Sequence, residues 1–246
     1  MNILSLDIST KPGWAFFKDS KLIRYGTLWA DKTVEDFGPY PGNYLDFVQD
    51  VADRLYSQVF LPCWRESGSK LTVVIEETTA SQNNYSQRKV EWIHYTILHA
   101  IREVFPDLPI RYVRDGVWKT KVGARQNNEE KKLNGKISRA KAKKKKAILE
   151  DTTLTEDEKK AKIKAIRAKL DLDGSGKARV VGKLSGKNYA LRAFTEHFGI
   201  ELQRQDEDAA DAALLGWAYI CGVPICDGTT TGGLNGETPN STSDEG

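Results

Sequence analysis

Short apolar runs broken by polar turns open the chain. Ile3-Leu4-Ser5-Leu6 runs straight into Asp7, Trp14-Ala15-Phe16-Phe17 follows a Pro12-Gly13 turn, and Leu22 to Trp29 follows the polar stretch from Lys18 to Lys21. Strands this short, joined by tight turns, predict an antiparallel meander. The period then changes. Tyr44, Phe47, Val48, Val51, Leu55 and Val59 keep helical spacing behind Asn43, which can cap that helix. Leu71 to Ile75 is continuously apolar and partly β-branched, as a central strand covered on both faces requires. From Tyr85 to Val104 the helical period returns through Val90, Ile93, Ile97 and Ile101. Ile110 to Val113 is a further short strand, with Asp115 placed to cap the next turn of helix, and Asn188 to Phe198 and Asp208 to Cys221 both read as helices.

The resulting order, β-β-β-α-β-α-β-α-α, predicts an α/β domain: a mixed sheet with helices on its faces. Its continuity is broken once, at residues 125–186. There Ser138 to Lys146 is strongly basic, and Thr155-Glu156-Asp157-Glu158 has the form of a capping box opening a second helix through Leu170, ahead of Gly174 and Gly176. This predicts an inserted helical hairpin, too charged to own much core. The organisation is therefore a domain split between 1–124 and 187–226, the insertion between them, and a polar tail over 227–246 expected to be disordered.

Composition adds limits more than direction. A hydrophobic fraction of 39% and a charged fraction of 29% fit a soluble domain. The net charge of +3 says little about nucleic acid, because the basic residues are gathered in the insertion. Cys63, Cys221 and Cys226 form no CxxC pair, which argues against a disulfide framework or a zinc site and fits a reducing, cytoplasmic setting. The start of the chain reaches an acid at Asp7 without a basic or long apolar segment, so neither a signal peptide nor a membrane partner is expected.

Four acids stand where a hydrolytic metal site needs them. Asp7 ends the first strand, Glu76 ends the central one, and Asp208 and Asp211 open the last helix on one face, separated and followed by alanines that permit close approach to the sheet. Phosphodiester hydrolysis needs a nucleophile made from water and charge neutralisation on the phosphate. Two divalent ions about 4 Å apart supply both, and hard ions take several oxygen ligands. Each acid alone has a plainer explanation: helix-dipole preference for Asp208 and Asp211, a strand emerging into water for Glu76 and Glu77. Jointly, two acids that each follow an apolar strand run are harder to explain that way.

These motifs resemble the RuvC-type Holliday junction resolvases. Ile3 to Thr10 with Gly13-Trp14 is similar to the family's opening, Val74-Ile75-Glu76-Glu77 with Asn83 to its second motif, and Asp208-Ala209-Ala210-Asp211-Ala212 to its last. Tyr112-Val113, Val117, Lys119 and Val122-Gly123 resemble the stretch before its penultimate helix. The likeness covers Met1 to Gly123 and Gly186 to Gly222, leaving out the insertion and the tail. It implies a ribonuclease-H-like five-stranded fold, a homodimer, and Mg2+-dependent paired nicking of four-way junctions, with Mn2+ able to substitute. It also implies catalytic metal ligands at Asp7, Glu76, Asp208 and Asp211, with Glu77 the alternative to Glu76, since adjacent strand residues face opposite ways. Lys119 and Lys187 fall where the family places basic residues near the scissile phosphate. The departure is Thr79, where the family carries an aromatic wedge. Asn83 and Tyr85 are the neighbouring DNA-contact candidates, and Tyr85 is the aromatic that can stand in. A compact domain with one insertion is also consistent with a phage-encoded resolvase.

Lys143 and Lys144 in the insertion are placed to lie across DNA arms, with a merely solvated hairpin the equal alternative. His94, His99 and His197 share no ligand spacing: His94 reads as helix packing and His197 as a helix C-terminal cap. The tryptophans read as core. Asp227 to Gly233 resembles a phosphate loop but lacks the lysine and the flanking elements. Two other classes compete. Actin-like and sugar-kinase ATPases share the strand-Asp-Thr opening but need a second domain, and a non-catalytic DNA-binding protein would have little use for the acids.

Overall fold

The computed structural model describes residues 1–29, 32–68, 70–77, 84–172 and 186–226, without the side chains of 84–86, 133, 137, 166–172, 186 and 187. Thr79, Asn83, residues 227–246 with the Asp227 to Gly233 stretch, and the side chains of Tyr85 and Lys187 therefore lie outside the described residues.

β1 (Asn2–Asp7), β2 (Gly13–Lys18) and β3 (Lys21–Thr27) form the expected meander, and β4 (Leu71–Glu77) and β5 (Ile110–Arg114) extend it in parallel from β1. The sheet order is β3-β2-β1-β4-β5. Helices cover both faces. On the first, Leu4, Leu6, Phe16, Val73 and Ile75 pack against α1 (Gly42–Arg54) and α3 (Asn84–Val104). On the second, Ile3, Ala15, Phe17, Val74 and Val113 meet α4 (Asp115–Lys121), a helix over Gly186–Phe198 and the last helix, Glu207–Ile220. This is the mixed, helix-flanked five-stranded α/β arrangement expected from the order of the elements.

Two predicted caps differ. Asn43 lies inside the first turn of α1, buried, because Pro39 and Pro41 carbonyls already accept from the Asn43 and Tyr44 amides at 3.2 Å each. Arg114 occupies the cap position of α4, and Asp115 instead spends its carboxylate on Lys119 and Arg125. The first predicted helix also runs further. It passes through a π-helical turn at Leu55–Phe60 into α2 (Leu61–Ser67), whose early position suits Pro62, and stops at Gly68 with φ +61°.

Among the described residues the insertion forms a helical hairpin, α5 (Asn128–Glu150) against α6 (Glu156–Leu172). The Thr155 to Glu158 box is present, with Thr155 N–H donating to Glu158 at 2.8 Å. A second box at Asn127 and Glu130 starts α5. With α7 now the helix Gly186–Phe198 and α8 the helix Glu207–Ile220, the foot of α5 is fastened to α7: Arg192 pairs with the nearly buried Glu130 at 2.6 Å, and Asn134 donates to the Tyr189 hydroxyl at 3.3 Å.

His94 behaves as packing. Its Nε2 lies 2.8 Å from the Tyr112 hydroxyl, and burial holds its pKa below the ordinary histidine value. The unfolded chain takes up that proton more readily, so this contribution to stability is present above the unfolded pKa of about 6.5 and is lost as pH falls through the lower folded value. Denaturant titrations of wild type and His94→Gln across this range should differ in slope below neutrality; parallel curves would rule the assignment out. His197 stands in the last turn of α7, and its Nε2 lies 3.0 Å from the carbonyl of Val122, the residue that ends α4. His99 sits 3.7 Å from Glu103 on the outer face of α3.

Candidate functional site

The register sets the first two acids side by side. Leu6 pairs with Ile75 in the parallel β1–β4 ladder, so Asp7 and Glu76 end adjacent strands at one level. Side chains alternate, and Val74 faces the α8 side while Ile75 faces away. Glu76 therefore shares the face of Asp7, and Glu77 points to the other. There Glu77 accepts from Arg114 Nε at 3.1 Å and from the Cys226 thiol at 3.3 Å.

The helix acids arrive through a glycine. Asp7 pairs with Gly13 on β2, and a Cβ at Gly13 would lie 1.9 Å from the Asp208 carbonyl oxygen. The first turn of α8 thus rests directly on sheet backbone beside Asp7. Two turns later Gly216 repeats the contact, where a Cβ would sit 2.5 Å from the Phe17 ring and 2.6 Å from Ser5 Oγ. The fully buried alanines 210, 212 and 213 keep the helix that close.

The charges converge. Asp7 keeps partial solvent contact, yet its carboxyl is pushed well above the usual range, first by desolvation and then by Asp211, Glu76 and Asp208, with Lys119 pulling it partly back. Glu76 is raised by desolvation, against the pull of Lys119 and of a hydrogen bond from Trp118 Nε1 at 2.8 Å. Lys119 Nζ lies 3.8 Å from Glu76 and in contact with Asp115, and it too senses Asp211. Attraction to these acids outweighs desolvation and holds the ammonium above its ordinary value.

Among the described residues no three His, Cys, Asp or Glu side chains are gathered tightly enough to hold an ion as they stand. The other three acids are within electrostatic reach of Asp7 without forming a closed cage. Mutual repulsion favours such spreading until a cation offsets it. The all-carboxylate donor set suits a hard divalent ion, which would offset the repulsion these acids exert on Asp7.

Lys119 lies 3.8 Å from Glu76, while Lys143 and Lys144 are exposed on α5. Trp118 and Arg125 were not singled out as site residues from sequence, and Asp115 was read there only as a helix cap. The i,i+4 spacing of Asp115 and Lys119 was the available signal; for Trp118, burial and polar contact coincide, and only the first is legible in composition. Trp118→Phe keeps most of the packing and removes the donor to Glu76. It should cost about 1.5–3 kcal/mol if Glu76 is charged and slow any reaction at this site about tenfold or more. Chemical denaturation and rate measurements on one preparation check it.

The fold and these acids define a mixed-sheet α/β protein with a group of carboxylates at the strand ends and the start of the last helix. No protein-family model matches the chain, and no curated protein matches it. Among solved structures, Thermus thermophilus RuvC in complex with Holliday junction substrate is similar at 12% identity and a TM-score of 0.47, covering 92% of this chain and 99% of that one. A second Thermus thermophilus RuvC structure is similar at 13% identity and a TM-score of 0.46, with the same coverage.

Proposed function

We propose that this protein is a divalent-cation-dependent nuclease of the Holliday junction resolvase type, cutting branched DNA and working as a homodimer. The observation that carries the reading is that the sheet register and the Gly13 contact bring Glu76, Asp208 and Asp211, from two segments remote from β1, to Asp7, whose carboxyl is raised by desolvation and then by these three acids. Mg2+ or Mn2+ held by these four side chains would activate water and stabilise the leaving oxygen. The chain's own residues do the rest. Trp118 orients Glu76, Gly13 admits the first turn of α8, and Lys119 brings positive charge to where a phosphate would meet the acids. Lys143 and Lys144 offer exposed charge to a DNA arm, whose binding would then weaken with salt.

A second reading rests on Thr79, which stands where resolvases carry an aromatic wedge: a same-fold nuclease with looser branch preference. One assay separates them. A labelled four-way junction, a Y-fork and a linear duplex are incubated side by side with Mg2+, Mn2+ or EDTA. Cutting of the junction alone supports the first reading, comparable cutting of junction and fork the second. No cation-dependent cutting of any branched substrate overturns both. Sedimentation tests the dimer.

A further inference from the structure

Beside the acids, a cleft of about 600 Å³ opens between α4, the foot of α5 and α7. Lys119, Arg125, Lys131, Asn134 and Tyr189 line it, with Asp115 the one acid among its lining residues. Three basic groups against one acid leave it net positive, and Asp115 is itself offset by Lys119 and by Arg125 at 3.5 Å. Lys119 belongs to both places, since it lines the cleft and lies 3.8 Å from Glu76. The cleft is therefore continuous with the carboxylate cluster and opposite to it in sign.

Its walls are held in place. Gly116 leaves room for Arg125, whose Nη2 would stand 3.2 Å from a Cβ there. The Arg125 carbonyl accepts from Arg192, and the Glu130–Arg192 pair fixes the helix that carries Lys131 and Asn134. Two of the basic groups, Arg125 and Lys131, belong to the 125–186 insertion, so the insertion contributes a wall of the cleft as well as exposed lysines.

We propose that this cleft seats a backbone phosphate of the DNA strand that enters the carboxylate cluster, with Arg125 and Lys131 as its charge contacts and Asn134 as a polar one. This deepens the nuclease reading and rests on it. A strand crossing the boundary meets positive charge at the cleft and acid at the cluster. That fixes which phosphate is presented for cutting, and it assigns the root of the insertion to substrate positioning.

The test uses the full chain and a fluorescent synthetic four-way junction. Binding is measured in EDTA across a KCl series, and cutting in Mg2+, for wild type, Lys131→Gln, Lys131→Arg, Arg125→Gln and the control Lys160→Gln on the exposed side of α6. Lys131→Gln and Arg125→Gln should each weaken binding about fivefold, lower the log–log salt slope by about 0.9, and raise KM more than they lower kcat. Lys131→Arg should restore binding, and Lys160→Gln should match wild type. Thermal melts confirm that each variant folds. If wild type binds and cuts but both glutamine variants keep its affinity and salt slope, the cleft is no phosphate seat and the nuclease reading stands. A wild-type chain that neither binds nor cuts the junction overturns both.

Discussion

Asp7→Asn is expected to abolish cleavage while making the cation-free protein more stable. The wild-type carboxyl resists ionisation because it is desolvated and faces Asp211, Glu76 and Asp208. Its folded pKa lies above the unfolded one, so its favourable contribution is full below about pH 3.9 and is lost as pH rises through the folded value. At neutral pH the cation-free wild type carries that penalty, and an asparagine does not. Adding Mg2+ should reverse the order, since an ion bound only by the folded state raises its melting temperature by mass action. The variant, short of one anionic ligand, should show little rise. Loss of several kcal/mol of transition-state stabilisation corresponds to a rate fall of about 10³-fold or more. Melting curves with EDTA and with Mg2+, beside junction cutting, test both halves. Unchanged cutting would remove the proposed mechanism, and an Mg2+ response equal to wild type would remove Asp7 as a ligand.

Gly13→Ala should be nearly as damaging, by geometry alone. The added methyl would meet the Asp208 carbonyl at 1.9 Å, and that obstacle is helix backbone rather than a mobile side chain. Either β2 or the first turn of α8 must move. Overpacking of this kind costs about 1–3 kcal/mol, and a displacement of about 1 Å at reacting groups costs about 100-fold in rate. Gly216→Ala is the matched control. Its methyl would strike the Phe17 ring and Ser5 Oγ, side chains two turns from the acids. It should lose comparable stability and far less activity. Equal activity losses would mean that general loosening of α8, not the position of Asp208, governs the site.

Much of the architecture follows from local pattern. The meander, the continuous apolar β4 and the helical period of α3 were legible because each depends on neighbours within a few residues. The Thr155 to Glu158 box was legible for the same reason. Local rules misplaced Asn43 and Asp115, since capping preference yields to whatever groups the fold brings near: proline carbonyls for one, Lys119 and Arg125 for the other. The helix-end position of His197 was legible, but its partner was not, because the Val122 carbonyl that ends α4 lies 75 residues away.

The site divides in the same way. Sequence alone put Asp7 and Glu76 at strand ends and Asp208 and Asp211 on one side of a helix start, because carboxylates after apolar runs and a three-residue spacing are one-dimensional facts. It left Glu76 and Glu77 as alternatives. Tertiary structure decided between their faces through the Leu6–Ile75 register, set the α8 acids over Gly13, joined Trp118 to Glu76, and opened the basic cleft at the insertion's root. Those outcomes depend on pairings between segments 40 to 200 residues apart in the chain. Their geometry is settled by packing, which no local pattern encodes.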